Sequence, residues 1–161
     1  MKTDLYKYKT EPFAHQVDVV TFASKCITSD PELNGFALFM SQGTGKTKTL
    51  IDIAENLFLA GVIDRVMIIA PNGVHRQWGV DDPKVGQIAQ HGFVPKSIFI
   101  WQSSKRMAQK MLAWRNSPHP NELMYLCVNV EAFSVSSYIE DFKAFVKGGR
   151  TLVVIDEATS I

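Results

Sequence analysis

Charge of one sign is what this chain has least of: 17 lysines and arginines stand against 16 aspartates and glutamates, a formal net charge of +1 over 161 residues. So even a balance leaves no electrostatic footprint for nucleic acid or an anionic surface. Recognition of a polyanion would have to rest on local patches and backbone amides. Cysteine is scarce as well. Cys26 and Cys127 lie far apart, without C-x-x-C or Cys/His ligand spacing, which argues against a zinc module or a disulfide and fits two buried thiols in a reducing compartment. His15, His75, His91 and His119 share no metal-binding spacing. Long hydrophobic runs are lacking too, and the start, "MKTDLYKYKT", is too polar for a signal peptide. A cytoplasmic protein with no membrane partner is expected. Repeats and low-complexity tracts are absent, and "NSPHPNE" (116–122) reads as a loop inside one domain spanning 1–161.

What is present is enough apolar material for a real core, 46% of residues. Five short runs rich in branched and aromatic residues recur along the chain: "GFALFM", "RVMIIA", "SIFIW", "MYLCVNV" and "TLVVID". Near-continuous apolar runs suit strands buried on both faces. Between them lie "KTKTLIDIAENLFLAG", "VHRQWGVDDPKVGQIAQHG", "SKRMAQKMLAWRN" and "SSYIEDFKAFVKGG", with apolar residues at three- and four-residue steps and several glycine ends. The alternation predicts an α/β domain with a parallel sheet.

Directly after the first run comes "SQGTGKTKT" (41–49). Gly43 and Gly45 would let the backbone curl so that successive N–H groups point into one hollow, and a helix opening near Lys46 would add its positive end. The hollow fits a polyphosphate. Lys46 would face the terminal phosphates of ATP, the Thr47 hydroxyl would ligate magnesium, and Gly43, Thr44 and Gly45 would supply the backbone cradle. The full signature G-x-x-x-x-G-K-[ST] asks for glycine where Met40 stands. A glycine-rich turn with a surface lysine is the plain alternative. At the far end, "TLVVIDEATS" places Asp156 and Glu157 just past a strand. Paired with the upstream turn, Asp156 reads as the acid that holds the magnesium and Glu157 as the one that polarises the attacking water; alone, they would read as a solvated acidic turn.

With both elements in hand, the chain resembles the first RecA-like lobe of superfamily-two helicases, and within them the Swi/Snf-type DNA translocases. In that branch the phosphate loop typically lacks the first glycine, as "MSQGTGKT" does here, and "DEATS" is similar to the family's D-E-A-H box with Thr159 in the histidine position. "PFAHQ" resembles the element whose glutamine reads the adenine edge, which implies an adenine contact for Gln16 with Phe13 packed nearby, although Glu11 replaces the family's basic residue. "IIAPNGVHRQW" resembles motif Ia, with Trp78 in the position of the family's tryptophan, and "CVNVEAF" resembles the later element that would put Asn129 and Glu131 beside the same DNA-tracking surface. The resemblance implies a P-loop NTPase lobe with ATP and magnesium as cofactors, sequence-independent contact with double-stranded DNA, and a phage or bacterial setting.

Because the chain stops four residues after Glu157, the resemblance further implies an incomplete C-terminus. The second lobe, or a partner chain, would be missing, the sheet would lack a central strand between residues 36–40 and 151–156, and the isolated chain would hydrolyse ATP negligibly. A non-catalytic nucleotide-binding or interaction fragment is the alternative from another class. A GTPase would need an N-K-x-D element, absent here, and a small kinase would need a lid and acceptor site after the acidic strand. Trp101 and Trp114 read as core, the basic residues Lys105, Arg106, Lys110 and Arg115 as a solvated helix face, and Asp81 and Asp82 as loop.

Overall fold

The computed structural model describes residues 6–29, 35–41 and 43–156. Four of the five apolar runs are strands: β1 (Arg65–Ala70), β2 (Lys96–Ile100), β3 (Leu123–Asn129) and β4 (Thr151–Ile155). All pair in parallel in the order β2-β3-β1-β4, with Arg65 opposite both Met124 and Thr151. β3 is buried along its whole length, as a continuous apolar run in the middle of a sheet must be. Helices α1 (Ala14–Ser29), α2 (Lys46–Leu59), α3 (Val74–Gly79) and α4 (Gln87–His91) contribute Val20, Ile53, Trp78 and Ile88 to a core on one face of the sheet. Helices α5 (Lys105–Asn116) and α6 (Ser136–Lys147) contribute Met111, Phe142 and Phe145 to a second core on the other. This is the expected α/β architecture with helices on both faces. Trp101 is fully buried, while Trp114 stacks on Phe145 and donates its indole N–H to Ser97 Oγ at 2.7 Å. Lys105, Arg106 and Lys110 are exposed as expected; Cys127 is buried but Cys26 only half so.

The run "GFALFM" departs from expectation. Residues 35–40 form no strand; Phe36, Leu38 and Met40 are half-buried, while Phe39 is 95% exposed. Phe36 and Phe39 share a shallow cavity with Asp18, Val19 and Phe22 of α1 instead of a ladder. The reason is pairing. Apolar alternation makes a strand only where a neighbour supplies hydrogen-bond partners, and among the described residues β4 pairs with β1 alone. β4 is accordingly an edge strand with Val153 and Ile155 exposed. Two elements go beyond the sequence reading: the full length of α1, and a 3₁₀ turn at Val130–Ser134 after β3. Among the described residues, no helix is long and apolar enough to cross a membrane.

α2 is held from inside by polar residues. Glu55, fully buried, accepts from the backbone N–H of Phe93 and of Val94 (3.0 Å), pairs with Lys96 Nζ at 3.1 Å and accepts from the Tyr125 hydroxyl at 3.3 Å. Asn56 exchanges two hydrogen bonds with the backbone of Lys7, at 2.9 and 3.0 Å, so residues 6–9 strap the helix down. Lys48 pairs with buried Asp52 at 2.5 Å. Burial nevertheless pushes the Asp52 carboxyl up from 3.8 to about 6 against the pull of Lys48, with Glu55 adding to the rise. Between those two values the folded protein keeps a proton that the unfolded chain has released. The stability this contributes is therefore complete below pH 3.8 and is lost as pH rises to about 6. In urea titrations, the wild-type midpoint should fall more steeply across this window than that of Asp52→Asn. Parallel pH profiles would show that Asp52 is not the group responsible.

Close approach fixes α3. A Cβ on Gly79 would lie 2.7 Å from Ile100 Cγ1 and 3.1 Å from Ile98 Cγ2, so only glycine lets this helix sit directly on β2 and β3.

Candidate functional site

Residues 43–47 form a tight turn built around two glycines. Gly43 (φ 81°) and Gly45 (φ 82°) are both left-handed, a region that strains any side chain. Gly45 faces a further restriction, because a Cβ there would run into the Gln16 amide. Thr44 closes the turn on itself, its hydroxyl donating to the Ser41 carbonyl at 2.6 Å and its backbone N–H to the same oxygen at 3.3 Å. Lys46, half-buried, folds back so that Nζ donates to the Met40 carbonyl at 3.0 Å. Thr47, also half-buried, stands in the first turn of α2, whose N-cap Gly45 offers no side chain to its N–H groups.

Gln16 is 2% exposed and both ends of its amide are engaged: Oε1 accepts from the Phe13 N–H at 3.0 Å and Nε2 donates to the Thr44 carbonyl at 3.2 Å. His15 Nε2 donates to the same carbonyl at 3.2 Å and its ring stacks on exposed Phe13. Two side chains from α1 thus brace the apex of the turn. The structure therefore brings Gln16, Gly43, Thr44 and Gly45 together as one unit.

The rest of the chain sets where this turn lies. Glu55 anchors α2 beside Lys96, the first residue of β2, so the helix ends at the amino end of the sheet. It then leads through Asp64 into β1. The helical rise carries Lys46 about 13 Å from Glu55, toward the carboxyl ends of the strands. Asp156 lies at that end as well, directly after β4, with its backbone N–H donating to the Ile69 carbonyl at 2.9 Å. Its carboxylate Oδ2 accepts from Trp78 Nε1 at 2.9 Å. Glu157 and Thr159 lie outside the described residues.

A second cluster occupies the carboxyl ends of β1 and β3. The chain leaves β1 toward α3 on one face of the sheet, and leaves β3 toward α6 on the other. Adjacent strands that part in this way open a crevice, the usual ligand position in open α/β sheets. Asn129 Nδ2 donates to Glu131 Oε2 at 2.9 Å there. That bond first, then the backbone N–H groups of Glu131 itself and of Asn72, hold the exposed Glu131 carboxyl below its usual range, with His75 adding to the effect. Asn72 and Asn129 therefore both reach Glu131 at this end of the sheet. His75 is 2% exposed, its Nε2 donating to the Trp101 carbonyl at 3.2 Å, and burial lowers its pKa.

Sequence reasoning missed the Trp78–Asp156 bond and the bracing of Thr44 by His15. Neither has a local signal, since the partners are 78 and 29 residues apart. Among the described residues no group of three or more His, Cys, Asp or Glu could hold a metal ion by itself. Oxygen-bearing side chains stand singly, however, at Thr47 and Asp156, the latter already held by Trp78. A magnesium ion shared with phosphates needs only one or two protein ligands of that hard type. Comparison with protein-family models finds no match for this chain, and a search among curated proteins finds none either.

Proposed function

We propose that the Gly43–Thr47 turn binds the phosphates of ATP together with magnesium, and that the chain is the ATP-binding front lobe of a DNA translocase or helicase of the Swi/Snf type. One observation carries the nucleotide part: two left-handed glycines lead into an uncapped helix whose start lies toward the carboxyl ends of a parallel sheet, the end that also holds Asp156. In this reading Lys46 exchanges the Met40 carbonyl for the terminal phosphates, and the N–H groups of residues 43–47 line the polyphosphate. Thr47 and Asp156 hold the metal, which when bound neutralises charge on the phosphate oxygens. Glu157 draws the proton of the water that attacks in line, and Gln16 exchanges its bonds to Phe13 and Thr44 for the adenine edge. A second lobe or a partner chain supplies the arginine that completes such sites.

The translocase part rests on the motif resemblance and on the crevice at Asn72 and Asn129, where amides could hold a phosphodiester. One observation favours a second reading, a nucleotide-binding module that does not track DNA: the ionised Glu131 carboxylate stands in that crevice and would repel a phosphate. Titration with ATP and GTP, followed by duplex-DNA binding measured with and without ATP, separates the two. Preference for ATP together with duplex binding supports the translocase lobe, ATP binding without any affinity for duplex supports the module, and robust DNA-stimulated turnover from this chain alone would overturn the reading as a lobe that needs a second one. Absence of nucleotide binding would overturn both.

A further inference from the structure

Trp78 is an unexpected residue to find against a carboxylate. It is 2% exposed, within the core formed by α1 to α4 and the sheet, where Ile68, Ala70, Ile88 and Cys127 also lie. A buried indole N–H usually finds an acceptor. Here it finds one in a side chain from the far end of the sequence, Asp156 Oδ2 at 2.9 Å. The packing that immobilises the ring thereby fixes where one oxygen of Asp156 lies. The backbone adds a second restraint, because Asp156 N–H donates to the Ile69 carbonyl and continues the β1–β4 ladder past the end of the strand.

We infer that Trp78 is the positioning residue for Asp156: its indole N–H holds the carboxylate in the orientation in which it meets a magnesium–nucleotide. The inference rests on the nucleotide-binding reading above and adds to it a named support. It also joins the two clusters at this end of the sheet. Trp78 is five residues after Gly73, on the same short helix as His75, and that helix is seated through Gly79 on β2 and β3. The carboxylate is thus referenced to the crevice turn at Pro71–Gly73, so a displacement of that turn would be felt at the metal. Partners of this kind, which orient a ligand without touching the metal, are typically worth about 10- to 100-fold in metal affinity.

The test reads magnesium dependence, which a merely structural role would not alter. Affinity for a non-hydrolysable ATP analogue is measured in EDTA and in excess magnesium for wild type, Trp78→Phe and Asp156→Asn. A protein with 3-benzothienylalanine at position 78 is added, since it keeps the shape of the ring and lacks only the N–H and so guards against loss of fold. In wild type, magnesium should tighten binding. In both position-78 variants the EDTA affinity should match wild type while the magnesium enhancement falls about tenfold. Combining either with Asp156→Asn should add nothing to the loss from Asp156→Asn alone. Full magnesium enhancement in the benzothienylalanine protein, with the enhancement lost in Asp156→Asn, overturns the role of Trp78 and leaves the nucleotide site standing. A wild type that shows no nucleotide binding overturns the site and this inference with it.

Discussion

Glu55→Ala is expected to lose about 3–5 kcal/mol of stability, the usual cost of removing one member of a buried ion pair. The effect should be large because four donors converge on one carboxylate: two backbone N–H groups, the Lys96 ammonium and the Tyr125 hydroxyl. All four would lose their acceptor in buried or part-buried positions, and Lys96 would lose its counter-charge. For a chain of this size such a loss lowers the melting temperature by on the order of 10 °C. Glu55→Gln should cost less, since the amide keeps an acceptor of the same shape for the backbone N–H groups. Thermal melts of the three proteins decide the matter, and an alanine variant within 2 °C of wild type would show the network to be dispensable (roughly the shift from 1 kcal/mol or less).

The second large effect concerns ligand affinity rather than stability. Lys46→Ala should weaken ATP binding by about ten- to a hundredfold, the worth of a hydrogen-bonded ion contact to the terminal phosphates. Its melting temperature should hardly change, because among the described residues Lys46 is held by a single hydrogen bond, to the Met40 carbonyl. Calorimetric titration reads the affinity and a melt on the same sample reads the fold. Undiminished affinity in a well-folded variant would mean that phosphates are not bound at this turn.

Much of this was legible in the chain because it is local. The runs "RVMIIA", "SIFIW", "MYLCVNV" and "TLVVID" are strands within a residue or two of their expected ends, and the glycines of "GTGK" adopt the left-handed geometry their residue type invites. What escaped is what depends on distant partners. "GFALFM" has the composition of a strand, yet composition cannot reveal whether a neighbour lies alongside. Asp52, Glu55 and Asn56 look like the solvated side of an amphipathic helix, but residues 6–9 and the turn before β2 cover them. The motif resemblance assigns Gln16 to the adenine, and nothing local reveals that its amide spans Phe13 and Thr44. Trp78 carries no mark of its bond to Asp156.

Strand order also has a kinetic meaning. β2 and β3 are separated by a single crossover through α5, so their pairing encloses the shortest loop in the sheet. β1 can join β3 only across a stretch that contains α3, α4, β2 and α5, and β4 can join β1 only after α6 has been added as well. Loop-closure entropy rises with the length enclosed, and pairings distant in sequence slow the search for the native state. A nucleus at β2–α5–β3 that grows outward is thus the least costly route. The β1–β4 seam closes last on that route, so Trp78 and Asp156 meet only when the rest of the sheet already exists.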